Sequence, residues 1–557
     1  MRRKRAVILS VICLLCIGAL AGQKLWKQWK AQWVPVPYVD RILGVAVVEN
    51  TDFLQDKEQK SVSGNPGVCF EQVLLPYDSA SATLYLPQSV GTAEWTGTLS
   101  VDAQSESYFL CALQDSYWKD KQTAVKENHG FTVWMVGEDC YYEFRLVISG
   151  MPVISMSTER IEEQEEVDAQ IDPDKKYYGS ETLHYGAVSV WNPGIGSGVY
   201  EIFQSNVCYH FKGASTQNFE KKSYSLKLQD YQGEKINASL LGMRSDNSWK
   251  LNALNTDVNR IREITASQIW EQFDEADDSV KEPGPRMEYA ELVVDGEYKG
   301  LYCLVEPVDE KKLELDKNDV LYKAVGWEAP SNEDIQISVE NGWKVQYPVR
   351  VRYPKDINDY ASAWYPMRDY LGIFYEAPEL DYEKALTRVN VNNLCDLFMF
   401  TMVTSASDNC FKNTYFAADV SSEGVYVMRQ IPWDLDYTFG NQYSYNVLNN
   451  VRFEKDYRVV YAETSLPRLK IANPEEIGLP FLERWNTYRE SFLRTDAILQ
   501  LLQQNRQYIM DTGAVARERE RWPEAQVDMD IDYLLDFQTK RMEWLDAYFA
   551  DWALEAN

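Results

Sequence analysis

Histidine is the scarcest chemically useful residue in this chain: only His129, His184 and His210 occur in 557 residues. A His-rich metal site is therefore hard to build. A serine-hydrolase triad has few candidate bases and no GxSxG turn to anchor it. Cysteine is nearly as uninformative. Cys13 and Cys16 lie in an apolar run, and the seven others are odd in number, widely spaced and without a CxxC pair. That pattern is neither a disulfide scaffold nor a zinc site. Most of the seven are expected to be small buried hydrophobes, with a Cys111–Cys140 bridge left open. Positive charge is also in deficit, with 56 basic against 85 acidic side chains and a formal charge of -29. Such a surface repels nucleic acid and anionic lipid, which argues against a genome-binding role. Any catalysis must rest on carboxylates and lysines.

What the chain has is apolar material, 45% of residues with 13% aromatic. That is enough for the two or three cores its length calls for. Arg2, Arg3, Lys4 and Arg5 precede an uncharged run from Ala6 to Gly22, and Lys24, Trp26, Lys27 and Trp29 follow it. Basic residues before an apolar segment hold its N-terminus in the cytoplasm. Residues 1–29 are thus expected to be a signal anchor, or a signal peptide cleaved after Ala21, and either exports the remainder. Residues 30–45, with Val34-Pro35-Val36-Pro37, read as a stiff spacer. From 46 to 157 short β-type runs such as Ala82 to Leu86, Phe131 to Val136 and Tyr141 to Ile148 suggest a small β-sandwich. Residues 158–178, including the acidic stretch Glu159 to Asp174, read as a linker.

Beyond the linker, strand patterns at Val199–Phe203, Ser223–Leu228, Glu288–Val294 and Gly300–Val305 precede a helix pattern after Asp257. From about 380 the pattern is helical, interrupted by a strand-turn-strand at Tyr415 to Asp436. This predicts an α+β fold with a β-rich lobe followed by a helix-rich one. Asp408 and Asn413 are spaced D-x-x-x-x-N, a spacing that lets one loop position an acceptor hydroxyl and hold a metal. Gly424 to Ile431 reads as a strand running into Pro432-Trp433-Asp434-Leu435-Asp436-Tyr437-Thr438-Phe439-Gly440. If that strand continues, Asp434 and Asp436 point to one side and share a divalent cation on nucleotide phosphates.

Trp433 to Gly440 resembles the W-D-x-D-x-T-F-G signature of the CotH (spore coat protein H) kinase family. Three further blocks resemble that family in the same order. They are Lys212 to Thr216 with Lys221 to Leu228; Trp249 to Leu254 with Asp257, Arg260, Arg262 and Glu263; and Glu291 to Tyr302 through Glu306-Pro307-Val308-Asp309. The resemblance implies a bilobal atypical protein-kinase-like domain over residues 179–550. It implies ATP with Mg²⁺ or Mn²⁺ as cofactors and an exported or surface protein as substrate. By position, Lys227 is the expected phosphate lysine, with Lys221 and Lys222 as competitors, and Glu263 its helix partner. Arg262 is a second phosphate contact, Gly213 and Ser215 form a loop over the phosphates, and Glu306 to Val308 border the adenine, mainly through backbone groups. Asp408 would act as base, and Asn413 with Asp434 and Asp436 would hold the metal. No His-Arg precedes Asp408, and Gln217 departs from the family's usual residue after Ser-Thr. The implied reaction is transfer of the ATP γ-phosphoryl group to Ser or Thr. Its rivals are a non-catalytic cell-surface or spore-coat scaffold and AMP transfer.

Overall fold

The computed structural model describes residues 41–62, 64–92, 94–102, 107–163, 182–194, 198–213, 218–277, 283–442 and 452–555. The expected signal or anchor segment and the spacer up to residue 40 lie outside them. Among the described residues no helix is long and apolar enough to cross a membrane. The chain divides into two compact units, the first made mainly of residues up to Ile148 and the second running from Ser149 to the end.

The first unit is β-rich, with one eight-stranded sheet and a separate three-stranded one. Alternation along Gly130–Val136 and Cys140–Ser149 buries Phe131, Val133, Phe144 and Leu146. Phe131 stacks on Trp118 at 3.7 Å between ring centres. Cys111 and Cys140 are both free. Cys111 is buried opposite Trp134, while the Cys140 sulfur lies 3.8 Å from the Tyr108 hydroxyl.

The second unit opens with a closed barrel: β1 (Val153–Glu163), β2 (Thr182–Asn192), β3 (Glu201–Lys212), β4 (Ser223–Gln229), β5 (Ser248–Asn252), β6 (Arg286–Val294) and β7 (Glu297–Glu306). Its order is β1-β2-β3-β4-β5-β7-β6, closed by parallel pairing of β1 with β6. The acidic stretch read as a linker from residue 158 is therefore strand as far as Glu163. Pairing to β2 overrides its polar composition. Tyr209, Tyr224, Leu226, Leu228, Trp249, Leu251, Leu292 and Tyr302 fill the barrel interior. The intervening residues of β3, β4 and β5 face outward, because successive strand side chains alternate.

Against the outer face packs α1 (Arg262–Ala276), whose Ile264, Ile269, Trp270 and Phe273 share a core with Tyr289, Cys303 and Val305. That core continues into an antiparallel sheet of β8 (Val320–Ala324), β9 (Val345–Gln346), β10 (Val349–Tyr353), β11 (Thr414–Val420) and β12 (Tyr426–Pro432), in the order β9-β10-β8-β11-β12. It includes the nearly all-buried helix α2 (Val391–Thr404) and later helices such as α3 (Ala514–Arg521) and α4 (Asp532–Leu554). The architecture is mixed α+β, strand-rich first and helix-rich last, as the patterning predicts.

Buried charge ties α3 to the barrel. Glu518 accepts from Lys221 Nζ at 2.7 Å and from the Leu301 amide at 2.8 Å, with Arg260 3.4 Å away. Gly300, at φ +96°, makes room for it, since a Cβ there would lie 2.2 Å from the Glu518 carboxylate. Glu518→Ala strands two buried cations. We expect it to cost about 3–5 kcal/mol of unfolding free energy, read from denaturant midpoints.

Candidate functional site

Three segments are stitched together at one end of the five-stranded sheet. Ser405, at φ +55°, ends α2 and turns the chain into the loop that carries Asp408 and Asn413. The Asn413 amide donates to the Ala324 carbonyl at 3.0 Å, and the Trp433 amide donates to the Asn413 carbonyl at 2.8 Å. Asn409 Nδ2 bridges the carbonyls of Asn413 (3.1 Å) and Trp433 (2.9 Å). The end of β8, the 405–413 loop and the turn after β12 therefore hold a fixed arrangement.

Asp408 is buried and accepts three hydrogen bonds. Trp327 Nε1 donates to Oδ1 at 2.6 Å, while Lys412 Nζ (2.5 Å) and Asn413 Nδ2 (2.9 Å) donate to Oδ2. Burial raises its pKa and the nearby Asp434 charge adds to the rise, with Lys412 and Trp327 opposing. That direction suits a carboxylate that takes up a proton.

Asp434 and Asp436 do not continue the strand. β12 stops at Pro432, and Asp434 takes the left-handed conformation at φ +61°, one that Asp tolerates better than most residues. The strand argument for their common side is thus replaced by a turn. Asp434 is exposed, and no hydrogen bond reaches its carboxylate among the described residues. Asp436 is half-accessible yet ringed by protein, and accepts from the Thr256 hydroxyl at 2.5 Å. Burial pushes its pKa well up, and the charges of Asp434 and Glu263 push it further.

A lysine wall faces these acids. On the barrel's outward face Lys212 ends β3 and Lys250 sits in β5, while Lys323 comes from β8. Lys250 and Lys323 bracket the Trp433 ring at 4.6 and 5.2 Å from its centre. Burial depresses all three. Lys323 is pushed down to about 7, with Arg352, Lys212 and Arg350 adding repulsion and Asp434 resisting. Lys250 falls well below its ordinary value, with Lys212 and Lys323 repelling it. Lys212 is lowered by burial and sustained by Asp434, Glu263 and Asp436. Cations crowded this way against so little water are stabilised by a multiply charged anion. Lys212 also donates to the Asn252 side-chain oxygen, and Asn252 Nδ2 donates to Glu263 at 2.7 Å. Burial and Asp434 raise Glu263 to about 8.

An acid whose folded pKa exceeds its unfolded value keeps an extra proton when folded. Stability is therefore lost as pH climbs from the ordinary glutamate value of 4.5 to about 8. We expect the wild-type Tm to fall across that window and Glu263→Gln to flatten the fall, in thermal melts at pH 5 to 8. Mg²⁺ or Mn²⁺, which favours ionised carboxylates, should raise Tm more at pH 8 than at pH 5.

Of the residues singled out from sequence, Asp408, Asn413, Asp434, Asp436 and Glu263 come together. Gly213 follows Lys212 at the rim at φ +103°; Ser215 lies outside the described residues. Lys227 is not brought to the acids. It is exposed on β4 between Cys208 and Ser248, one outward step beyond the row His210–Ser225–Lys250. Glu263 is accordingly linked to Lys212 through Asn252 rather than to Lys227. Lys221 is consumed by Glu518. Arg262 is a structural pin, buried on Asp257 at 2.5 Å and bonded to Asn259 and Tyr533. The Glu306 side chain is clamped by Arg244 (2.6 Å) and Lys312 (3.0 Å). Lys212, Lys250, Lys323, Trp433 and Trp327 are the additions. Lys250 was detectable, because apolar Trp249 and Leu251 turn inward and leave it outward.

Among the described residues no group of three or more His, Cys, Asp or Glu is arranged to cage a metal ion. The donor set here is smaller, two carboxylates and the amide oxygen of Asn413, whose nitrogen is spent on Asp408. Such a set fits Mg²⁺, which keeps waters and takes phosphate oxygens as remaining ligands. The family model described as CotH kinase protein matches residues 209–545. A search of the curated proteins finds no match.

Proposed function

The chain belongs to the CotH kinase family, and from that premise we propose that it transfers the γ-phosphoryl group of ATP to a Ser or Thr hydroxyl of an exported protein. One observation carries this reading: the Asp434 charge acts both on three buried lysines and on the buried carboxylate of Asp408. ATP phosphates lie against Lys212, Lys250 and Lys323, which regain favourable charge by contact with them. Asp434, Asp436 and Asn413 would hold Mg²⁺ or Mn²⁺, which when bound would neutralise phosphate charge. Asp408 receives the proton of the acceptor hydroxyl. The acceptor oxygen forms its bond to the γ-phosphorus as the bond to the bridging oxygen breaks, and ADP leaves with that electron pair. Positioning and charge neutralisation supply the rate. The basic-then-apolar N-terminus supports export, as an anchored or secreted protein, and the acidic surface argues against nucleic acid as partner.

Incubating the purified protein with γ-labelled or α-labelled ATP, Mn²⁺ and a degenerate Ser/Thr peptide library tests the reading. Incorporation of γ-label alone is the expected result. Incorporation of α-label identifies AMP transfer, and absence of both labels and of nucleotide binding identifies a scaffold.

A further inference from the structure

The hydrogen bonds on Asp408 leave little room for a substrate. Oδ2 already accepts from Lys412 and Asn413, which fills both of its lone-pair directions. Among the described residues, Oδ1 accepts only from Trp327. A hydroxyl that gives its proton to Asp408 must therefore approach Oδ1, beside the Trp327 indole or in its place.

Trp327 is only half covered by the protein: it is 50% exposed, an unusual state for a tryptophan whose N–H reaches a buried carboxylate. It lies in the loop after β8, and the Lys412 ammonium sits over its ring at 4.3 Å. Just before it, Gly326 runs close over Tyr347. A Cβ there would lie 2.9 Å from the Tyr347 hydroxyl, and Tyr347 is itself 57% exposed. Trp327 thus stands half in water against Oδ1 of the proposed base, with the half-exposed Tyr347 ring against the preceding residue, Gly326.

We infer that Trp327 is the acceptor-side positioning residue of this site: its N–H holds the Asp408 carboxylate until an acceptor hydroxyl reaches Oδ1, and its ring, with Tyr347, seats the peptide segment bearing that hydroxyl. The inference rests on the phosphotransfer reading and adds to it where the acceptor enters and what it touches. The acceptor is a peptide whose residues flanking the Ser or Thr offer apolar or planar surface to these rings. Lys412, stacked on Trp327 and paired with Asp408, moves with the indole and keeps its bond to Oδ2.

The test uses the full chain and the best-labelled peptide selected from the degenerate library. Trp327→Ala is expected to raise the peptide KM about tenfold, the scale of one lost aromatic contact. The KM for ATP and nucleotide binding should stay within about twofold on the same argument. Trp327→Phe, which keeps a ring and lacks the N–H, should restore most of the peptide KM while leaving kcat reduced. Nucleotide binding by each variant certifies its fold, and Tyr347→Ala gives a second route to the peptide KM should Trp327→Ala fail to fold. Transfer by wild type with an unchanged peptide KM in the Trp327 and Tyr347 variants overturns the acceptor-side role alone. No transfer by wild type to any peptide overturns the phosphotransfer reading and this inference with it.

Discussion

Asp408→Ala should bind ATP and Mn²⁺ as wild type does and lose phosphoryl transfer on the order of a thousandfold, the usual contribution of a positioned general base. The separation follows from where Asp408 sits. Its oxygens are taken by Trp327, Lys412 and Asn413, and the lysines proposed to face phosphate are influenced by Asp434 instead. Removing the carboxylate frees Lys412 and loosens Asn413 alone of the three proposed metal-holding residues. Asp434, Asp436, Lys212, Lys250 and Lys323 make no hydrogen bond to it, so any change in Mn²⁺ affinity should be small beside the loss of transfer. Binding measured by nucleotide titration should hold while single-turnover label transfer collapses. Intact transfer in the variant would remove Asp408 from the mechanism, and loss of both properties would mark it as structural. Its raised pKa also sets an expected pH dependence. A base must be ionised to accept a proton, so kcat/KM should rise with pH through a point above the ordinary carboxylate range.

Asp434→Ala should act on the other half of the reaction, weakening metal-dependent nucleotide binding by about 3 kcal/mol, roughly a hundredfold in Kd. Asp434 is the one anion that opposes the depression of Lys323, Lys250 and Lys212 together. Without it the lysines repel one another with less compensation, and Asp436 keeps only a share of the cation's ligands. Two effects oppose in this variant. A less compensated lysine wall attracts phosphate more strongly, so metal-free ATP binding should hold or tighten while Mn²⁺-dependent binding is lost. Titrations with and without Mn²⁺ separate the two. Equal weakening in both would show that Asp434 acts by maintaining the turn at φ +61° rather than by holding a cation. Asp434→Asn, which also tolerates that conformation, distinguishes them again.

The clustered acids of the candidate site were legible in the sequence and the lysines beside them largely were not. Asp408, Asn413, Asp434 and Asp436 fall in two short segments, and short spacing survives folding because local backbone geometry carries it. Even so, the route was different from a strand. A left-handed turn after Pro432, not continued pleating, presents the two aspartates. Lys212, Lys250 and Lys323 come from β3, β5 and β8, separated by long stretches of chain. Only strand pairing in the barrel and the β8–β11 pairing place Lys250 and Lys323 around Trp433, with the charge of Lys212 acting on both. Lys227 shows the limit most plainly. Alternation correctly puts it on the outward face of β4, but which outward residue meets the acids depends on pairing register, and the register favours the row of Lys250. Arg262 was drawn away by Asp257, Asn259 and Tyr533, partners that no local pattern announces. The sequence by itself determined the α+β order, the family and the carboxylates, because periodicity and spacing are local. The tertiary structure decided which lysines face them and that Trp327 stands over Asp408, because both depend on segments that meet only when the chain is folded.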